Sequence, residues 1–237
     1  MIVVIGGMAR SGSTFSFNVA RELLELHGSV EVAFANSIDA SVCSRSTEEH
    51  FVLKTHGPDD HLLAQIKSGS VKCICTVRRP EDAVASLMRT FGFSFEKSIE
   101  SIEHWLMWYF RVLDQVMTLE FQIIDCERRL AIERIVEYIG MHCERTFIES
   151  LEEKYEKLAL KQKYDSLVSS EQTVDIGFSY YDKRTFFHRR HISHVDAHPV
   201  DHDVSPLQLE RIRAMLRAHI DRFFLGKREK LPLVLCR

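Results

Sequence analysis

Three short stretches bring reactive side chains to places where apolar runs stop. Behind Ile2-Val3-Val4-Ile5-Gly6 comes "GMARSGST", residues 7–14, with the spacing of a Walker A phosphate loop except at one position. Ser13 stands where that motif has lysine, and Arg10 lies three places earlier. A strand, a glycine turn and a helix start form a cradle of backbone N–H groups at the positive end of a helix dipole, which suits an anion. Taken alone, the stretch also fits a plain strand-to-helix turn that uses glycine for its geometry. At 53–58, "LKTHGP" ends a second run in Lys54 and His56, two residues apart and so on one side of a strand. At 77–87, "VRRPEDAVASL" ends a third in Arg78 and Arg79; Pro80 then opens a helix carrying Ser86 on its second turn. Arginine forks match phosphate geometry. A histidine can take a hydroxyl proton, with an acid limb near pH 6.5 if its pKa of about 6.5 is unperturbed. A further basic cluster, "FFHRRHIS" at 186–193, contains Arg189 and Arg190.

Such groups need elements that bring strand ends together. Apolar runs alternate with helical patterns, the signature of a parallel sheet wrapped by helices. Strands are expected near 2–6, 30–34, 50–54, 71–77 and 119–124. Helices are expected from Ser13 or Thr14 to a stop at Gly28, from Pro80 through Phe91, over 95–117, and at 127–139, 144–161 and 205–224. Over 95–117 the apolar stripe is Ile99, Ile102, Trp105, Leu106, Tyr109, Phe110, Leu113 and Val116. Trp105 lies in that stripe and reads as core; Trp108 falls off it and is the better candidate for a pocket wall. Segment 162–204 reads as an irregular flap.

In this order, the four stretches resemble the sulfotransferase superfamily, whose donor is 3′-phosphoadenosine 5′-phosphosulfate (PAPS). Its 5′-phosphosulfate loop is similar to Arg10, Ser11, Gly12, Ser13, Thr14 and Phe15, with Arg10 where soluble members usually carry lysine and carbohydrate sulfotransferases often carry arginine. Its 3′-phosphate motif resembles Arg78, Pro80, Asp82 and Ser86. The family's strand end with the catalytic histidine resembles Lys54-Thr55-His56-Gly57-Pro58, and its late arginine pair resembles Arg189-Arg190. The resemblance spans residues 7–193. It implies a single α/β domain with a five-stranded parallel sheet flanked by helices, a P-loop-like sulfotransferase fold. It also implies transfer of a sulfuryl group to a hydroxyl acceptor (small molecule, lipid or carbohydrate), with no metal expected. His56 would be the general base and Lys54 would hold the sulfonate oxygens. Arg10 and the N–H groups of residues 11–15 would face the leaving 5′-phosphate, and Arg78, Ser86, Arg189 and Arg190 would read the 3′-phosphate. Three features depart from the family pattern. Phe15 replaces the adenine-stacking tryptophan, no tyrosine follows the fifth strand in "IIDCERR", and His191 replaces the glycine after the late pair.

Composition sets the remaining bounds. With 45% hydrophobic and 27% charged residues among 237 and a net charge of −3, the chain reads as globular, with no global basic field for nucleic acid or a membrane. The run Ile2–Ile5 is too short for a signal sequence or a membrane span. Cys43, Cys73, Cys75, Cys126, Cys143 and Cys236 form no C-x-x-C pair, so a reducing cytoplasm is expected. His188, His191, His194, His198 and His202 recur at three and four; Pro199 interrupts any continuous helix, and a basic flap competes with a metal site. Acceptor-shaping loops are expected at 35–50, 88–96 and 165–185. The competing function is a small-kinase phosphotransferase, disfavoured by Ser13 and by the lack of a strand ending in aspartate.

Overall fold

Five apolar runs become five parallel strands: β1 (Ile2–Gly7), β2 (Val30–Phe34), β3 (His50–Thr55), β4 (Lys72–Val77) and β5 (Met117–Glu120). The computed structural model describes residues 1–38, 48–165, 167–175, 180–188, 204–223 and 232–236. The strands lie in the order β2-β3-β1-β4-β5. Ile5 of β1 stands opposite Lys54 on one side and Ile74 on the other. A strand paired on both edges and covered on both faces meets no water, so Val3, Val4 and Ile5 are fully buried and β1 reads as an unbroken apolar run.

Helices cover both faces. One layer comprises α1 (Ser13–Glu25), α6 (Arg128–Ile139), α7 (Arg145–Lys154) and α8 (Lys157–Asp165). The other comprises α2 (Asp60–Ser68), α3 (Pro80–Phe91), α4 (Phe95–Val112), α9 (Pro206–Phe223) and the short α10 (Leu233–Cys236). The stripe of α4 is buried as its periodicity predicts, with Trp105 and Tyr109 stacked at 4.4 Å between ring centroids. Offset stacks of this kind add roughly 0.5–1.5 kcal/mol beyond the area they bury.

The elements differ from the sequence expectations at six places. Helix α1 ends at Glu25 with Leu26 as its cap, so Gly28, expected as its stop, lies beyond it. The strand expected over 119–124 is β5 followed at once by a helical turn, α5 (Phe121–Cys126). Helical spacing puts Phe121 and Ile124 on one side, both over Gly12. The helix expected over 144–161 is two, because Tyr155 leaves the helix and the Glu156 carboxylate caps a new one by accepting from the Ala159 N–H at 3.0 Å. The helix expected to reach 117 stops at Val112 and passes through a 3-10 turn, Leu113–Gln115. Helix α2 is unforeseen, although Asp59 caps it through the Leu62 N–H at 2.8 Å and Gly69 ends it at φ 73°. Finally, the flap expected over 162–204 contains the end of α8 and two antiparallel strands, β6 (Thr173–Asp175) and β7 (Tyr180–Asp182).

Candidate functional site

The loop after β1 is shaped by two close packings and two left-handed residues. Gly7 lies so near the Ser13 side chain that no Cβ fits between them. Ser13 therefore packs toward the strand, where a Walker lysine would reach outward. Arg10 has φ 66° and Gly12 φ 87°, and a Cβ at Gly12 would come within 2.8 Å of Ile124. Ser11 turns inward. Its hydroxyl lies 2.6 Å from the Met8 carbonyl and 2.6 Å from the Thr76 hydroxyl, and its N–H donates to the Met8 carbonyl at 3.2 Å. Of the predicted loop residues, Arg10, Gly12, Ser13, Thr14 and Phe15 line a cavity of about 390 Å³ at the C-terminal edge of the sheet, and Ser11 does not.

Parallel pairing brings the end of β3 beside this loop. Lys54 is 3% exposed, donates to the Thr14 hydroxyl at 2.5 Å and lies 5.6 Å from the Phe34 ring centroid. Burial, and secondarily the charge of Arg10, lower its pKa from 10.5 to about 7. His56 Nδ1 is 2.6 Å from the Gly7 carbonyl. A carbonyl only accepts, so Nδ1 carries the proton and Nε2 of the neutral ring keeps its lone pair. Burial first and the Lys54 charge second lower the His56 pKa to about 4, with the Gly7 bond opposing. The ordinary value near 6.5 expected from the sequence is thereby corrected. A neutral base and a cation that readily gives up its proton stand side by side, able to hold an anionic oxygen and accept a hydroxyl proton.

The end of β4 completes the wall. Arg78 donates from Nη1 to the Arg10 carbonyl at 3.2 Å and lies 4.3 Å over the Phe121 ring. Burial lowers its pKa, while the carboxylates of Asp82 and Asp125 oppose the shift. Ser86 is buried off the cavity, and its hydroxyl accepts from Arg10 Nε at 3.0 Å. Burial, then the charges of Arg78 and Arg89, lower the Arg10 pKa to about 10. Arg189 and Arg190 lie outside the described residues, as do His191, His194, His198 and His202.

Other lining residues were not legible as site residues. Arg128 starts α6 and Lys157 starts α8; both face the cavity, Lys157 in an ion pair with Asp125. Tyr155 meets Phe15 edge-on at 5.7 Å and stacks with Phe187 at 6.2 Å, while its hydroxyl donates to Glu22. An aromatic residue does follow the fifth strand: it is Phe121, at the cavity wall. Trp108, expected at a pocket wall, is instead 4% exposed and lies in the core. At 108 it stands three residues beyond Trp105 and touches it edge-on at 5.4 Å, so it widens the buried stripe. Among the described residues no three His, Cys, Asp or Glu side chains form a metal-holding group, and no helix is long and apolar enough to cross a membrane.

A parallel sheet in this order, with a glycine loop after the central strand and basic strand ends on either side, matches the fold of solved sulfotransferases. Mouse sulfotransferase SULT7A1, complexed with PAP, matches with TM-score 0.66 over 95% of this chain and 86% of its own, at 12% identity. Retinol dehydratase in complex with androsterone and the inactive cofactor PAP gives 0.59 over 96% and 83%, at 14% identity. The same enzyme in a complex with retinol and PAP gives 0.60 over 94% and 82%, at 15% identity. No family model and no curated protein matches the sequence.

Proposed function

We propose that the chain is a PAPS-dependent sulfotransferase acting on a hydroxyl acceptor. The observation that carries this reading is the charge of one cavity. Arg10, Lys54, Arg78, Arg128 and Lys157 line it against a single carboxylate, Asp125, among the described residues of a protein whose net charge is −3. Arg78 Nε is buried and has no acceptor among those residues, the mark of a site that a polyanion completes. Phe15, Tyr155, Phe121 and Phe187 supply flat apolar walls for a purine. The solved neighbours' PAP supports the donor, and the alcohols retinol and androsterone of retinol dehydratase support the acceptor class. The free thiols of Cys73, Cys75, Cys126 and Cys143 agree with a reducing compartment, which we take to be the cytoplasm.

When bound, PAPS supplies the sulfuryl group and a phosphate leaving group. His56 Nε2 takes the acceptor hydroxyl proton as the oxygen–sulfur bond forms. The bond from sulfur to the bridging oxygen breaks, and its electron pair goes to the 5′-phosphate. Lys54 holds the sulfonate oxygens. Arg10 and the first-turn N–H groups of α1 meet the charge that grows on the leaving phosphate. Arg78 reads the 3′-phosphate, joined in this proposal by Arg189 and Arg190. A sulfuryl group carries less charge than a terminal phosphoryl, so neither the Walker lysine nor Mg²⁺ is required here, in contrast to phosphoryl transfer.

Thermal shift tests the assignment. At equal concentration PAP should raise the melting temperature more than AMP or ATP, with or without Mg²⁺; at 100 times its dissociation constant it should stabilise the protein by about 2.7 kcal/mol over the unliganded form. An equal response to ATP, or one that needs Mg²⁺, would favour the phosphotransferase instead. Arg78→Ala should weaken PAP binding by roughly 1.5–3 kcal/mol, the worth of lost charge-assisted hydrogen bonds. AMP should lose less, since it keeps only the loop contacts. Equal losses measured by titration calorimetry would reassign Arg78 to supporting Arg10 alone.

A further inference from the structure

Pairing of β3 with β1 ends at Gly6 opposite Thr55, so the His56 peptide lies just past the ladder. Its carbonyl is nevertheless held: Trp108 Nε1–H donates to it at 3.2 Å from α4. The far edge of the same indole lies against β1 at Gly6, where a Cβ would come within 2.5 Å of Cη2. Trp105 at 5.4 Å and Tyr109 at 6.5 Å, both buried, fix the indole from its own helix. His56 is thus tied at two points, its ring to the Gly7 carbonyl and its backbone to an indole that only the neighbouring glycine admits.

We propose that Trp108, admitted by Gly6, is a positioning residue that fixes the His56 peptide and so keeps the imidazole Nε2 aimed at the acceptor oxygen. The inference rests on the sulfotransferase reading, because only there has His56 a proton to take. It gives the two glycines of "IGGM" separate tasks: Gly7 admits Ser13 and the turn of the loop, and Gly6 admits the indole. An indole with this tie differs from a mere core filler, since a benzyl group fills most of the same space without donating.

Three variants of the chain separate the two roles. Trp108→Phe should lower kcat about tenfold or more while leaving donor KM and PAP affinity near wild type, as expected when a base is displaced slightly. Gly6→Ala should lower both melting temperature and kcat, because its Cβ meets the indole. In Gly6→Ala/Trp108→Phe the shorter ring makes room for the methyl, so melting temperature should recover and turnover should not. Wild-type turnover in Trp108→Phe, or turnover that recovers with melting temperature in the double variant, would overturn the proposal. Nitrogen-15 NMR of the His56 ring needs no acceptor. A single Nδ1–H tautomer should give way to a mixture in Trp108→Phe, and an unchanged ring signal would overturn the proposal as well. If wild-type protein is not stabilised preferentially by PAP, the donor reading fails, which is a separate result.

Discussion

His56→Ala should cost roughly 10²–10⁴-fold in turnover, the usual contribution of a positioned general base, and leave PAP affinity almost unchanged. The asymmetry follows from where the ring is tied. Nδ1 is spent on the Gly7 carbonyl, and in the proposed reaction Nε2 is left for the acceptor, so donor binding should lose nothing when the imidazole goes. The pH dependence carries the second half of the expectation. The base works when neutral, and burial with the Lys54 charge keeps its pKa at about 4. Wild-type kcat/KM, which reports the free protein, should therefore fall on the acid side only as pH drops through about 4. On the alkaline side it should fall as Lys54 loses its proton near pH 7. In the kcat profile the lysine limb should move up, because bound sulfonate favours the charged amine. His56→Ala should lack the acid limb. If melting temperature and PAP affinity instead fall together with activity, and the residual activity keeps its acid limb, the histidine is a strand-end brace.

Lys54→Met should move activity and stability in opposite directions. Turnover should drop on the order of 10²–10³-fold, as when one donor to a developing charge is removed, while melting temperature at pH 6 rises. The ammonium is taken out of water to a place where its pKa is about 7 against 10.5 in the unfolded chain, a difference worth several kcal/mol against the charged form. Below pH 7 both states hold the proton and the whole penalty is present. Between about 7 and 10.5 the unfolded chain binds one more proton than the folded protein, so wild-type stability rises with pH across that window. Above it the penalty is gone. The wild-type minus mutant difference in unfolding free energy should trace this rise, which cancels the other alkaline groups. A flat difference, or a Lys54→Met variant less stable than wild type at pH 6, would mean that the bond to Thr14 outweighs desolvation.

The strand ends are legible because parallel strands buried on both faces are written as apolar runs, and the first polar residues after each run mark the sheet's edge. Lys54, His56 and Arg78 can be placed that way, as can the loop residues before α1. What escapes depends on helix starts and on packing across elements. Arg128 and Lys157 reach the cavity only because helices begin at those residues. The break that starts α8 is capped by Glu156, a poor cap by type, inside a stretch whose periodicity runs straight through. Trp108 falls off the stripe only when a single helical face is assumed, yet α4 is covered broadly enough to bury the four aromatic residues at 105, 108, 109 and 110. Phe121 is hidden within an apolar run that continues the strand pattern while the backbone already turns. Helix α2 is the opposite case, with cap, apolar pair and glycine stop all present in the sequence and unused.

The central strand is also the one whose partners lie farthest along the chain. Ile5 waits for Lys54 and for Ile74, and pairings across such distances close slowly because loop entropy must be met before contacts reward it. The loop after β1 takes its shape from β4 as well: the Met8 N–H donates to the Thr76 carbonyl at 3.0 Å, and Ser11 leans on the same residue. A chain in which β4 has not yet docked holds every letter of "GMARSGST" and no cradle. If the loop holds the donor as proposed, its affinity depends on β4 having closed on β1. On the reading proposed above, a bound donor would hold β1 and β4 together and should act chiefly as a brake on unfolding, doing little to hasten folding.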